Sequence, residues 1–266
     1  MIPIDLAGRV AIVTGGARGV GRGISQRFLE AGADVVICGR NEPDRLPNAG
    51  GREAVFLRCD VRDAEQIDAL VTTTTERFGR LDVMVPNAGG APSAEAATAS
   101  PRFHEKIIQL NMIAPLHCAQ RANATFQQQE GGGIVIFIGS VSAYRPSPGT
   151  AAYGGAKAGL ISLTESLAVE WAPRVRVVTV SAGMVRTELA HLHYGSTAGV
   201  AAASATVPLG RLATPEDVGN TCVFLASPLS AYTSGVEILL HGGGEAPAFL
   251  EAVAGAEDPG DGAPDD

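Results

Sequence analysis

Short apolar runs rich in valine and isoleucine recur along this chain, and stretches with helical spacing separate them. The runs at 9–14, 33–38, 54–59, 81–85, 133–138, 175–180 and 235–240 are too short for helices. Their β-branched content predicts buried strands. Residues 20–30 predict a helix that starts in a glycine-rich turn. Asp63 opens the next, with Gln66 three positions on in a capping-box pattern and Gly79 at the end. Residues 101–128 predict a long helix in which Pro115 should cause a kink or an altered turn. Another helix is expected over 152–171. Thr214-Pro215-Glu216-Asp217 starts the last, a cap followed by proline at the first helical position. The stretch 41–52, with two prolines and two adjacent glycines, predicts a loop with a short turn.

Alternating strands and helices predict an α/β fold: a doubly wound, seven-stranded and mostly parallel sheet with helices on both faces. No linker-like break divides residues 1–250, which predicts a single domain. Residues 251–266 are acidic and rich in Pro and Gly, and are expected to be a disordered tail.

Charge and cysteine usage narrow the function classes. The 266 residues carry a net charge of −8. Five of the acids (Glu257, Asp258, Asp261, Asp265, Asp266) lie in the tail, and without them the remainder carries −3. This argues against a nucleic-acid partner. Cys38, Cys59, Cys118 and Cys222 are widely spaced, without metal-ligand spacing, and read as buried thiols of a reducing compartment. With no signal-peptide pattern at 1–8 and no apolar run near ~20 residues, the expectation is a cytoplasmic protein without a membrane partner.

Two motifs carry chemistry. Thr14-Gly15-Gly16-Ala17-Arg18-Gly19-Val20-Gly21 follows the first strand directly. Glycines there let a backbone approach a pyrophosphate, and the following helix offers it free N–H groups and a positive dipole end. The cation at Arg40, where the second strand ends, replaces the acid usually met by a free ribose 2′-hydroxyl. With Arg18 it favours a 2′-phosphate, hence NADP(H), with NAD(H) as the alternative. The second motif is Tyr153 and Lys157, one helical turn apart, with Ser140 leaving the fifth strand thirteen residues earlier. The chain has only two lysines, Lys106 and Lys157, against eighteen arginines, which modestly supports a need for an ammonium at 157.

Together with Asp60-Val61, Asn87-Ala88-Gly89-Gly90 and Asn111, these motifs resemble, in order and over roughly 5–250, the single-domain short-chain dehydrogenase/reductases with a Rossmann-type fold. The resemblance implies that Gly15, Ala17, Arg18, Gly19, Val20 and Gly21 hold the cofactor phosphates and Arg40 its ribose side. It implies that Asp60 and Val61 meet the adenine, and that Asn87, Ala88 and Gly89 line the adenosine. Gly183, Val185 and Thr187 would meet the nicotinamide. Tyr153 would exchange the proton, Ser140 would bind the substrate oxygen, Lys157 would bind ribose, and Asn111 would hold a water behind it. The ammonium and an oxidised nicotinamide are expected to lower the Tyr153 pKa from its ordinary ~10. Pro86 stands where the family commonly has Asn, and is expected at a strand end. Ser181-Ala182 replaces the usual Asn-Pro, an exchange expected to loosen the nicotinamide-side loop.

The segment 186–210 matches the variable substrate lid. Leu189, Leu192 and Tyr194, with Val141, Ser142, Tyr144, Ala91 and Pro92 as further walls, point to a neutral, moderately hydrophobic ketone or secondary alcohol. Arg145 and Arg186 are the nearby cations. His191 and His193 lack acidic or thiol partners at ligand spacing and read as lid residues, so no metal is expected. The helices at 101–128 and 152–171 resemble the family's dimer-forming pair, which implies a homodimer or homotetramer. Two rivals are a sugar-nucleotide epimerase, disfavoured by the glycine spacing, and a non-catalytic cofactor sensor, disfavoured by the intact Ser140, Tyr153 and Lys157.

Overall fold

The alternation resolves into one parallel sheet in the computed structural model, which describes residues 4–190, 194–247, 249 and 253. Strands β1 (Val10–Thr14), β2 (Asp34–Gly39), β5 (Val55–Arg58), β6 (Val83–Val85), β7 (Gly133–Ser140), β8 (Val175–Ala182) and β9 (Val236–Leu240) form it, in the order β5-β2-β1-β6-β7-β8-β9. Every neighbouring pair is parallel. The predicted loop at 41–52 contains a two-stranded antiparallel ribbon instead, β3 (Asn48–Ala49) with β4 (Arg52–Glu53), turned by Gly50-Gly51.

Both faces of the sheet are covered, so its strands are apolar throughout. Along β1, Ala11 and Val13 join one core with Ile24, Phe28 and Leu29 of α1 (Gly19–Glu30). Val218, Cys222 and Leu225 of α7 (Pro215–Ala226) complete that layer. Val10 and Ile12 point the other way, towards Ile67 and Leu70 of α2 (Ala64–Phe78) and Leu160 and Leu167 of α5 (Ala151–Glu170). A side-chain period of two sorts one strand into two cores. All four cysteines are free and buried.

Helix ends largely follow their signals. Asp63 caps α2 by accepting from the N–H groups of Glu65 and Gln66, and Gly79 closes it in the left-handed conformation. Thr214 and Asp217 form a reciprocal capping box on α7. Pro115 stands at the second position of α4 (Ala114–Phe126), and the altered turn expected around it is present. The irregularity lies just before it. A π turn, Gln109–Ile113, separates α4 from α3 (Pro101–Ile108).

At the amino end of the sheet, Asp82 is 4% exposed. It accepts hydrogen bonds from Arg9 (2.7 Å), Arg80 (2.6 and 2.8 Å) and the Val10 N–H (2.9 Å). Those bonds hold its carboxyl below the usual range although burial opposes this. The clamp ties β1 to β6, the two strands whose opposite ends frame the site.

Candidate active site

Strand order reverses at β1: the chain proceeds from it to β2 and β5 on one side, then crosses to β6 and β7 on the other. The carboxyl ends of β1 and β6 therefore diverge into a crevice, the place where open α/β sheets bind ligands. The glycine turn leads from β1 into α1 at that crevice. Gly21 packs so closely that a Cβ there would lie 2.4 Å from the Gly15 carbonyl oxygen and 2.5 Å from Asn87 Nδ2. Gly19 opens α1 at φ +52°, a conformation that disfavours a side chain. Ala17 and Val20 are half-buried, and Arg18 is exposed.

The turn is tied to the β6 loop through Thr14. Its Oγ1 accepts from the N–H groups of Asn87 (3.0 Å) and Ala88 (2.9 Å), while Asn87 Nδ2 donates to the Thr14 carbonyl at 2.9 Å. Pro86 directly follows β6, the strand-end position expected for a residue lacking a donor. At the end of β2, Arg40 is exposed, and its charge helps hold the Asp60 carboxyl below the usual range. The larger cause is Arg62, whose guanidinium grips both Asp60 oxygens at 2.9 and 2.5 Å. The carboxylate expected to face adenine is thus already bound to a neighbour two residues away, and Val61 beside it is buried.

Ser140 ends β7, and its Oγ accepts from the Ser142 N–H at 3.2 Å. Tyr153 and Lys157 rise from the first two turns of α5, and Tyr153 is hydrogen-bonded to Ser140. Lys157 is 3% exposed and donates from Nζ to the Ile138 carbonyl oxygen at 2.7 Å. Nζ lies 5.5 Å from the Tyr153 ring centre. Burial lowers the Lys157 pKa to about 8. Burial also raises Tyr153 above its ordinary value, and the Ser140 hydrogen bond opposes that rise. Of its neighbours in the protein, Ser140 is the one that favours ionisation of the phenol.

Asn111 is fully buried in the π turn. Its Oδ1 accepts from the Gly90 N–H (2.8 Å), and its Nδ2 donates to the carbonyls of Gly90 (3.0 Å) and Ile107 (2.9 Å). Through these bonds the Asn111 side chain clamps the β6 loop. Gly89 lies between the two groups: a Cβ there would be 2.7 Å from Asn111 Oδ1 and 3.7 Å from Lys157 Nζ.

The segment after β8 completes the crevice. Gly183 donates to Leu240 O at 2.9 Å, and Val185 bridges in parallel to Ala213. Ser181 and Ala182 still belong to β8 and pair with β7 and β9. Thr187 Oγ1 accepts from the Leu189 N–H at 3.3 Å. The next residue, Glu188, was not singled out from sequence, yet its Oε1 accepts from the Gly19 N–H at 2.9 Å. A carboxylate thus already rests on the helix end that suits an anion, and the close-packed glycines leave backbone bare beside it. The turn fits a pyrophosphate on these grounds. Arg62 was also not singled out, and the part of Thr14, which opens the glycine motif, in tying the turn to the β6 loop was not foreseen.

Within the lid, α6 (Thr197–Ala205) is a short helix capped by Ser196. His191, Leu192 and His193 lie outside the described residues, as does the expected tail, 251–266, apart from Val253. Among the described residues, no cluster of His, Cys, Asp or Glu could hold a metal ion. No helix among them is long and apolar enough to cross a membrane.

Comparison with known proteins places this geometry. Residues 15–245 match the family described as Enoyl-(Acyl carrier protein) reductase, a model of short-chain dehydrogenase/reductases. The chain is 36% identical over 249 residues to an L-fucose dehydrogenase from Oryctolagus cuniculus, covering 90% of this chain and 86% of that protein. It is 32% identical over 242 residues to a 3alpha-hydroxysteroid dehydrogenase from Mediterraneibacter gnavus, covering 88% and 95%. A short-chain type dehydrogenase/reductase from Mycobacterium marinum superimposes with a TM-score of 0.83 at 30% identity, covering 92% and 98%. The protein belongs to the short-chain dehydrogenase/reductase family and is an oxidoreductase of that family.

Proposed function

We propose that the protein is an NADP(H)-preferring alcohol dehydrogenase or ketoreductase acting on a neutral, moderately hydrophobic ketone or secondary alcohol. The observation that carries this reading is the convergence of Ser140, Tyr153 and Lys157 beside the strand-order reversal that holds the glycine turn.

Each residue has a part that its surroundings allow. Gly15, Ala17, Gly19, Val20 and Gly21 hold the dinucleotide phosphates, with Asn87, Ala88 and Gly89 along the adenosine. Asp60 and Val61 bound the adenine side, while Gly183, Val185 and Thr187 bound the nicotinamide side. Arg18 and Arg40 are exposed cations suited to a 2′-phosphate. The cofactor, when bound, supplies or accepts the hydride. Tyr153 gives its phenolic proton to the carbonyl oxygen in reduction and, as the phenolate, takes the hydroxyl proton in oxidation. Ser140 donates a hydrogen bond to the same oxygen and steadies the developing alkoxide. Lys157, anchored on Ile138, presents its remaining donors to ribose. Asn111 positions the loop that carries Gly89 and Gly90.

A homodimer or homotetramer fits the same reading. Tyr232, Val236 and Leu239, on and beside the edge strand β9, leave apolar surface exposed, as edge strands of associating chains do. The test of function is a panel of ketones and alcohols assayed with NADPH/NADP and NADH/NAD in parallel. Turnover with NADPH favoured is expected; absence of hydride exchange with every substrate and both cofactors would reject the reading.

A further inference from the structure

A cavity of about 600 Å³ lies over the carboxyl ends of β7, β8 and β9, and the roles given above use little of it. It begins next to the reacting groups, at Val141 (the residue after Ser140) and at Gly183, and extends to the segment that follows β9. A cavity this size holds a molecule well beyond a three- or four-carbon alcohol.

Its walls favour one kind of occupant. Met184, Val207, Leu209, Leu239 and Leu240 supply apolar surface. The charged side chains on its walls are matched with one another. Arg211 grips both oxygens of Asp217 at 2.6 and 3.1 Å. Arg145 pairs with Glu245, joining the loop after β7 to the segment after β9. Tyr194, from the lid, lies within the field of both these charges, so the lid reaches the same end of the cavity. Of the polar side chains on the walls, Tyr144, Asn220 and His241 remain outside these two ion pairs. A polyol or free sugar needs a partner for every hydroxyl it buries, and this lining is poorly supplied with them. An apolar body asks for no such partners and gains by leaving water.

We propose that the substrate is a bulky, uncharged secondary alcohol or its ketone, bicyclic or larger. Its apolar body fills this cavity while its oxygen lies at Ser140 and Tyr153. The assignment rests on the hydride-transfer reading for its chemistry and on the cavity for its size and polarity. In oxidation the hydroxyl proton passes to the phenolate form of Tyr153, and the hydride of the carbinol carbon would pass to the bound oxidised nicotinamide, leaving the ketone.

The test compares 2-decalol, 2-propanol and an aldohexose on the cofactor-loaded protein, by kcat/KM and by calorimetric binding. Wild type should prefer 2-decalol to either of the others by at least tenfold in kcat/KM. Leu209 lines the cavity and is largely exposed, so Leu209→Asp should fold normally. It should weaken 2-decalol at least tenfold in binding and in kcat/KM, while 2-propanol changes by less than twofold. Ala246→Trp, which narrows the cavity from the far segment, should act in the same direction. A preference for the aldohexose, indifference to substrate size, or indifference to both variants would overturn the assignment. Binding of 2-decalol that Leu209→Asp abolishes, without turnover with either cofactor, would support the cavity assignment and reject the hydride-transfer reading.

Discussion

The carboxylate of Glu188 accepts a hydrogen bond from the backbone N–H of Gly19 at 2.9 Å, joining the segment after β8 to the first residue of α1. That N–H is one of the donors a helix start offers to an anion. Glu188 is therefore the chain's own anion at the place where a dinucleotide would put its diphosphate. Glu188→Gln keeps the shape and removes the charge. Calorimetry should show NADPH binding roughly two- to fivefold tighter, the scale of one charge at a helix end. Weaker binding would mean that the carboxylate instead supports the closed segment.

Tyr153→Phe should leave NADPH binding within about twofold and lower kcat by roughly two to four orders of magnitude, as loss of a positioned proton donor does. The Ser140 hydrogen bond is the influence that holds the half-buried phenol down. Ser140→Ala should therefore shift the alkaline rise of alcohol oxidation to higher pH, as a pH–rate profile would record. An unshifted profile would detach Ser140 from the ionisation of Tyr153.

Lys157 has a stability signature of its own. Its folded pKa of about 8 lies below the ordinary 10.5. Between those values the unfolded chain binds a proton that the folded chain does not, so stability from this group rises with pH across that window. Below about 8 the buried charge is a cost to the fold. Lys157→Met should abolish turnover yet match or exceed the wild-type melting temperature at pH 7. The two melting temperatures should draw towards each other, or cross, as pH is raised towards 10. A large loss of stability at pH 7 would contradict this account.

Arg40→Asp should lower kcat/KM with NADPH by more than tenfold and raise it with NADH. The side chain is exposed, so folding should be unaffected. Parallel kinetics with both cofactors decide the matter. An unchanged ratio would move the 2′-phosphate preference to another residue.

Asp82 gives an acid-linked prediction. Its folded carboxyl titrates below the ordinary 3.8, so its stabilisation is complete above that value and is lost as pH falls through the folded pKa. Asp82→Asn should cost about 2–3 kcal/mol near neutrality, the scale of lost hydrogen bonds to a buried charge. Urea unfolding at several pH values should show wild type and variant converging below about pH 4. Activity at 25 °C should change little, because the clamp lies at the opposite end of the sheet from Tyr153.

Much of this was legible in the amino-acid order because burial on both faces writes long β-branched runs, and because the glycine turn and the Tyr153–Lys157 spacing are local. What escaped depends on contacts distant in sequence or on exchangeable partners. Nothing near Glu188 signals that it will cross 169 positions to reach Gly19. The Arg62–Asp60 pair is local, but nothing in the motif tells whether Asp60 faces an arginine or a ligand. The ribbon of β3 and β4 was hidden because four residues carry no period. The cavity drew few of its walls from the expected set, since β9 and the segment after it carry no motif.

The π turn at Gln109–Ile113 makes the length of this region as constrained as its composition. One extra residue in a helical turn rotates everything beyond it by about 100° relative to an unbroken α-helix. Here that phase difference lets Asn111 meet Gly90 while Cys118, Ala119, Ala122 and Phe126 still face the sheet. Deleting any one residue of the turn would regularise the helix and force a choice between those alignments. Point substitutions on the solvent side should be tolerated throughout 101–126, whereas single-residue deletions there should be lost from any library selected for function.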